Sequence, residues 1–184
     1  MLAQWAGVLV RWGVRCATTF LRTSVVGDQG QALKILQKEI SASRVFANDH
    51  NERALWLADA ISFNSEKCAR YLVNEHDALN SCKEIFSLLQ PAIMTVKTGN
   101  VELLKFLFEK GVPPDQHDSK HETPLSHAVE LKNEEIVKIC LAAGANPEGS
   151  TKAGVTPLQK AIQGNEPMIA LALLEYNANC LSSG

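Results

Sequence analysis

The tripeptide Thr123-Pro124-Leu125 recurs as Thr156-Pro157-Leu158, which sets a period of 33. The period is kept downstream: Ala128 maps onto Ala161, Ile136 onto Ile169, Cys140 onto Leu173, and Ala145-Asn146 onto Ala178-Asn179. Self-similarity at this spacing implies stacked copies of one supersecondary unit, because a single copy cannot bury its own apolar face. The chain therefore reads as a stack rather than as one globular core.

Each copy can be built from its own residues. Thr123 and Thr156 stand where an N-cap accepts a hydrogen bond from an orphan helix amide. Pro124 and Pro157 follow at the first helical position, where a missing N–H costs nothing. Leu125, Ala128 and Val129 then form the inner stripe of a short first helix. A second helix opens near Asn133-Glu134-Glu135, with acids at its positive end. Ile136, Val137, Ile139, Cys140 and Leu141 make it almost wholly apolar, as for a helix held between neighbours. Gly144 is expected to end it in the left-handed conformation, with Asn177 taking that place one copy later.

One period earlier stand Gln90-Pro91-Ala92, followed by Gly99-Asn100-Val101-Glu102-Leu103-Leu104 and Gly111. A further copy fits at an offset of 35, pairing Asn64 with Gly99, Cys68 with Leu103 and Leu72 with Leu107. The stretch from Gln31 to Phe46 reads as one more helix, with Leu33, Leu36 and Ile40 on a face, capping the stack. The apolar segment 81–89 is expected to extend the first helix of its copy backwards.

The order Asp118-Ser119-Lys120-His121-Glu122-Thr123-Pro124-Leu125, then Glu135-Ile136-Val137, then Ala143-Gly144-Ala145-Asn146, resembles the ankyrin repeat. The resemblance is strong over 115–180, moderate over 84–114 and weak over 31–83. It implies an all-α, helix-turn-helix solenoid of three to four repeats with an N-terminal capping helix. The expected organisation is a leader over 1–26, a capping helix and degenerate first repeat over 27–83, and clear repeats over 84–184. One departure stands out: the histidine of the family's Thr-Pro-Leu-His pattern, which normally ties neighbouring repeats together, is replaced by Ser126 and Gln159.

Residues 1–26 hold Arg11, Arg15 and Arg22 and no acid. On a helical wheel the three arginines fall within about 40° of one another. Leu2, Trp5, Leu9, Trp12, Cys16 and Phe20 gather opposite. This acid-free amphipathic opening has the character of a mitochondrial transit peptide, with processing expected at Ala17 or Ser24. A retained membrane-surface helix, with transient lipid contact, is the other reading of the same asymmetry. A spanning helix needs about 20 uninterrupted apolar residues, and the arginines interrupt it. A secretory signal would carry its charge ahead of the apolar run.

Composition narrows the function. The formal net charge is −2, and without residues 1–30 the body holds 15 basic against 19 acidic residues, or −4. Such a body lacks the clustered basic footprint that nucleic-acid binding requires. The cysteines, Cys16, Cys68, Cys82, Cys140 and Cys180, are odd in number and show no C-x-x-C spacing. Cys68 and Cys140 read as small core hydrophobes in a reducing compartment.

Chemistry is sparse. Asp115, His117, Asp118, His121 and Glu122 form one polar cluster, and two histidines four apart could share a zinc ion on a helix. They follow Pro113-Pro114 in an inter-repeat hairpin, where the helical argument lapses. No glycine loop cradles phosphate, no nucleophile has a base at a known spacing, and no cofactor is implied. The expectation is a non-enzyme.

The resemblance implies instead a groove lined by hairpin tips and first helices. The matching positions are Lys120, His121, Glu122, His127 and Glu130, then Lys152, Lys160 and Gln163. The last copy also turns apolar where its predecessors are charged. Glu102 and Glu135 give way to Met168, Lys105 and Lys138 to Leu171, and Lys110 and Ala143 to Tyr176. A terminal repeat should be polar outside, so this end is a second candidate docking surface unless the tail from Cys180 folds over it. The expected function is a non-catalytic scaffold, an accessory subunit or assembly factor of a mitochondrial complex in the matrix or on the matrix-facing inner membrane. The alternative is a cytoplasmic or nuclear adaptor whose opening helix anchors it to a membrane or a partner.

Overall fold

The computed structural model describes residues 29–42, 50–83, 90–149 and 154–182. The arginine-bearing opening, Phe46, most of the segment 81–89, and Lys152 lie outside them. The chain divides into two compact units, Met1–Ile85 and Phe86–Gly184. The described residues form helices without strands.

In the first unit, α1 (Gln29–Ala42), α2 (His50–Ser62), α3 (Glu66–His76) and α4 (Ala78–Lys83) pack together. Helix α2 lies against α3 and α4, and α1 lies against α3. Leu36, Leu57, Ile61, Cys68 and Leu72 are sealed in its core. The Gln29 side chain fastens α1 to the α2–α3 turn, donating to the Asn64 carbonyl and accepting from the Lys67 amide.

The second unit holds three helix pairs: α5 (Pro91–Thr98) with α6 (Val101–Glu109), α7 (Pro124–Glu130) with α8 (Glu134–Ala142), and α9 (Pro157–Gln163) with α10 (Pro167–Ser182). First helices pack in a row, α5 on α7 on α9, and second helices in another, α6 on α8 on α10. The two rows bury Leu103, Leu104, Leu107, Leu125, Ile136 and Val137 between them.

Local chemistry explains the repetition. Each first helix starts with its proline, and Thr123 caps α7 by accepting from the Ser126 amide. Thr156 and Gln159 form a reciprocal capping box, so the residue in the family's histidine place serves its own helix end. The Asn100 and Asn133 side chains cap α6 and α8 by accepting from the Leu103 and Ile136 amides. Between the paired helices one residue turns left-handed in every copy: Gly99 at φ 72°, Lys132 at 57° and Asn165 at 54°. Asn64 adopts φ 52° at the corresponding place between α2 and α3. Its amide bonds the Ile61 carbonyl just as the Gly99 amide bonds that of Val96. The copy at the longer offset thus keeps the turn geometry of the others.

Two expectations need correction. Gly144 does end α8 in the left-handed conformation, at φ 87°, but Asn177 lies inside α10, which continues to Ser182. After Gly144 the Ala145 amide bonds the Cys140 carbonyl and Ala145 is buried, which rewards the turn. At Asn177, without glycine's freedom, each further helical residue gains a backbone bond instead. Nor is α5 extended backwards. Gln90 is non-helical at φ −95°, ψ 84°, because the ring of Pro91 disfavours the helical region for the residue before it. Residues 81–83 instead finish α4.

Candidate interaction surface

The hairpin between α6 and α7 is organised by one carboxylate. Asp118 Oδ1 accepts the amides of Lys120 and Glu122 at 2.8 and 3.0 Å. The Asp118 amide bonds the Glu122 carbonyl, and the His121 amide bonds the Asp118 carbonyl. His121 is left-handed at φ 60°, and Gly154, at the same place one repeat later, is left-handed at φ 73°. His121 therefore holds a backbone position that suits glycine. Its ring stacks on that of His117 with centroids 5.2 Å apart. Among the described residues no group of three or more His, Cys, Asp or Glu side chains converges as a metal site.

From Asp118 the polar contacts run across the repeats. His127 Nε2 lies 3.2 Å from Asp118 Oδ2, and Nδ1 lies 3.8 Å from Glu130. Lys160 on α9 reaches back to Glu122 at 2.6 Å and to Glu130 at 4.0 Å. Ser126 Oγ donates to the same Glu122 oxygen. Glu122 and Lys160 side chains are only 15% and 18% exposed, so this is a largely desolvated ion pair joining consecutive repeats. Burial alone would raise both carboxylic acids. For Glu122 that is outweighed by Lys160 and Ser126, and for Asp118 by the two amides and His127, so both lie below their ordinary ranges. A second tie links Lys132 to Glu166 at 2.7 Å and to the Gly164 carbonyl at 3.1 Å.

The structure thus brings Glu122, His127, Glu130 and Lys160 together, with Asp118 and Ser126 completing the cluster. Lys120, His121 and Gln163 stay exposed. Replacing Lys160 with methionine keeps the stem and strands the Glu122 charge, which is expected to cost about 2 kcal/mol. Because Glu122 titrates below its ordinary range, the Lys160 contribution is present at neutral pH and is lost as pH falls through the folded-state value. Urea unfolding of both proteins at pH 7 and near pH 3 checks this: the gap should narrow in acid.

On α10, Met168 and Leu171 are 57% and 49% exposed. Leu174 joins them at 51%, while Tyr176 is half-buried. Residues 180–182 continue the helix rather than turning back. Between the ends of α6 and α8 lies an open groove of about 570 Å³, lined by Phe108, Val112, Pro113 and Ile139 with Lys105 and Glu109. Cys68 and Cys140 are buried free thiols, and burial pushes Cys140 up to about 12. No described helix is long and apolar enough to cross a membrane.

Helix pairs stacked in two rows, with Glu122–Lys160 and Lys132–Glu166 tying consecutive repeats, define a helical-repeat solenoid. The family model for ankyrin repeats (3 copies) matches residues 92–183, half of the chain. The chain belongs to the ankyrin-repeat family. The crystal structure of the ankyrin repeat domain of Bcl-3, a unique member of the IkappaB protein family, is similar with a TM-score of 0.57 and 22% identity. That likeness covers 66% of this chain and 54% of the Bcl-3 chain, so this chain spans about half of it, and it shows the fold. No curated protein matches this chain.

Proposed function

We propose that this protein is a non-catalytic scaffold, acting as an accessory subunit or assembly factor of a mitochondrial protein complex. Ankyrin repeats are protein-interaction modules, and the observation that carries a docking role here is the apolar outer face of α10. Met168 and Leu171 stand exposed where the two preceding repeats place Glu102, Glu135, Lys105 and Lys138. An apolar stripe of this kind is the usual mark of a binding surface. The exposed groove residues Lys120, His121, Glu130 and Gln163 supply a polar surface on the same stack. The compartment rests on the sequence alone: the clustered Arg11, Arg15 and Arg22 in an acid-free amphipathic opening.

The test is expression of the chain with a C-terminal tag, in wild-type and Leu171→Lys forms. The mature N-terminus would be determined from purified mitochondria together with the co-purifying proteins. The expected result is recovery there, beginning near Ala17 or Ser24, with one complex held by the wild type and lost from a folded Leu171→Lys protein. An intact Met1 on cytosolic protein would remove the mitochondrial reading and favour an adaptor. Undiminished co-purification by Leu171→Lys would move the interface off α10.

A further inference from the structure

The groove between the ends of α6 and α8 is built wholly from the first and middle repeats of the second unit. The last carbonyls of a helix have no partner within it and take donors from beyond its end. After α6 the Gly111 amide serves the Phe108 carbonyl, and the Val112 amide serves that of Leu107. After α8 the Gly144 and Ala145 amides serve Leu141 and Cys140 in the same way.

The next carbonyls in each helix lose their local donors. Four residues beyond Glu109 stands Pro113, and four beyond Ala143 stands Pro147; proline carries no N–H. Four beyond Ala142 stands Asn146, whose amide donates instead to Asp115 Oδ1 at 2.8 Å. Glu109, Ala142 and Ala143 all line the groove. Its rim therefore carries carbonyl acceptors from two helices that the neighbouring backbone does not cap.

Charge runs the same way. The C-terminal end of a helix is its negative end, and two such ends border the groove. Lys105, at the groove, is paired with Glu102 at 3.0 Å. Lys110 lies over the Phe106 ring, 5.4 Å from its centroid. Glu109 is exposed and has no ion-pair partner among the described residues. Below this rim the lining is apolar, with Phe108, Val112 and Ile139.

We propose that this groove receives an arginine of a partner protein, together with an apolar residue beside it. A guanidinium presents five N–H donors in a planar fork and no acceptor, which suits carbonyls on two helix ends and the Glu109 carboxylate at once. A lysine ammonium is a compact, strongly hydrated charge that matches the spread acceptors less well. The aliphatic stem of the arginine and the apolar neighbour cover Phe108 and Ile139. At about 570 Å³ the groove has the size of a pocket that holds a small ligand. It is separate from the outer face of α10, so the two surfaces can be occupied independently.

The test is a nuclear magnetic resonance titration of the full ¹⁵N-labelled chain. The probe is an acetylated and amidated peptide, Gly-Ser-Arg-Leu-Ser-Gly, with the arginine replaced by lysine or glutamate in two controls. The arginine peptide should shift the amides of Lys110, Gly111, Val112, Ala142 and Ala143, with half-saturation at roughly 0.1–1 mM. The lysine peptide should bind several-fold more weakly and the glutamate peptide not at all. Glu109→Gln removes the charged acceptor at an exposed position and should weaken binding about tenfold. Ala142→Phe, also at an exposed position, should block the groove. Glu130→Gln, on α7, should change nothing. Should the Ala142→Phe protein not fold, Glu109→Gln decides alone. No shift at the groove up to about 2 mM peptide overturns the proposal, as does binding that is indifferent to Glu109→Gln. Equal affinity for the lysine peptide overturns it too, since the carbonyl rim would then select nothing. The readout is local to α6 and α8, so it stands or falls apart from the co-purification result.

Discussion

Replacing Leu125 with alanine is expected to destabilise the repeat unit by about 3 kcal/mol, within the range for emptying a filled core site. Leu125 is fully buried on α7, and α7 packs against α5, α8 and α9. A void there weakens the contacts to both neighbouring repeats, and a solenoid's stability is largely a sum of such neighbour terms. The informative comparison is Leu158→Ala: the same residue at the same repeat position, but half-buried on α9. Its expected cost is about 1 kcal/mol, because less surface is withdrawn from water and no closed cavity forms. Urea denaturation followed by far-UV circular dichroism compares the two. Equal losses would show that the burial contrast between these repeats does not hold in solution.

Asp59→Asn should act in the opposite direction and in the other unit. Asp59 lies half-buried on α2, its carboxyl pushed up to about 6 by burial. Among the described residues it has no ion-pair partner. The folded chain therefore holds the Asp59 proton more tightly than the unfolded chain does. Between the ordinary aspartate value and about 6 the folded state binds more protons, so stability falls as pH rises through that window. Above it the full penalty for the buried charge applies, on the order of 2–3 kcal/mol. Asparagine is nearly isosteric and carries no charge. Asp59→Asn should thus be more stable at pH 7 by about 2 kcal/mol and indistinguishable from wild type near pH 3.5, where both are neutral. Amide hydrogen exchange of α2 at the two pH values reads this locally. Equal protection at pH 7 would show that the carboxylate is hydrated or paired in solution.

Much of the architecture is legible one residue at a time. The prolines of the first helices, the caps at Thr123, Thr156, Asn100 and Asn133, and the left-handed Gly144 all rest on local rules of backbone chemistry. The degenerate copy in the first unit was legible for the same reason, since Asn64 can take the conformation that Gly99 takes. Asn177 is ambiguous in the sequence because the same residue type permits either ending or continuing a helix. Local propensity does not choose between those outcomes. Packing after the turn chooses.

The interaction surface was less legible. Glu122 and Lys160 could be assigned to a groove by their places in the repeat, but their pairing spans 38 residues and needs two first helices side by side. In the sequence Asp118 is only one member of a polar cluster. Its work, holding two amides and His127, depends on the hairpin closing. Ile162 and Leu174 are exposed, yet in the sequence they look like the buried Val129 and Leu141 one repeat earlier.

By itself, then, the sequence determined the unit: helix starts, turn residues, the repeat period and the apolar stripes, all governed by interactions within a few residues of the chain. Only the tertiary structure decided which of those stripes are covered and which charges are spent on one another. Burial and ion pairing depend on what stands opposite a side chain, and a repeating sequence writes the same face in every copy whether or not a neighbour is there to cover it.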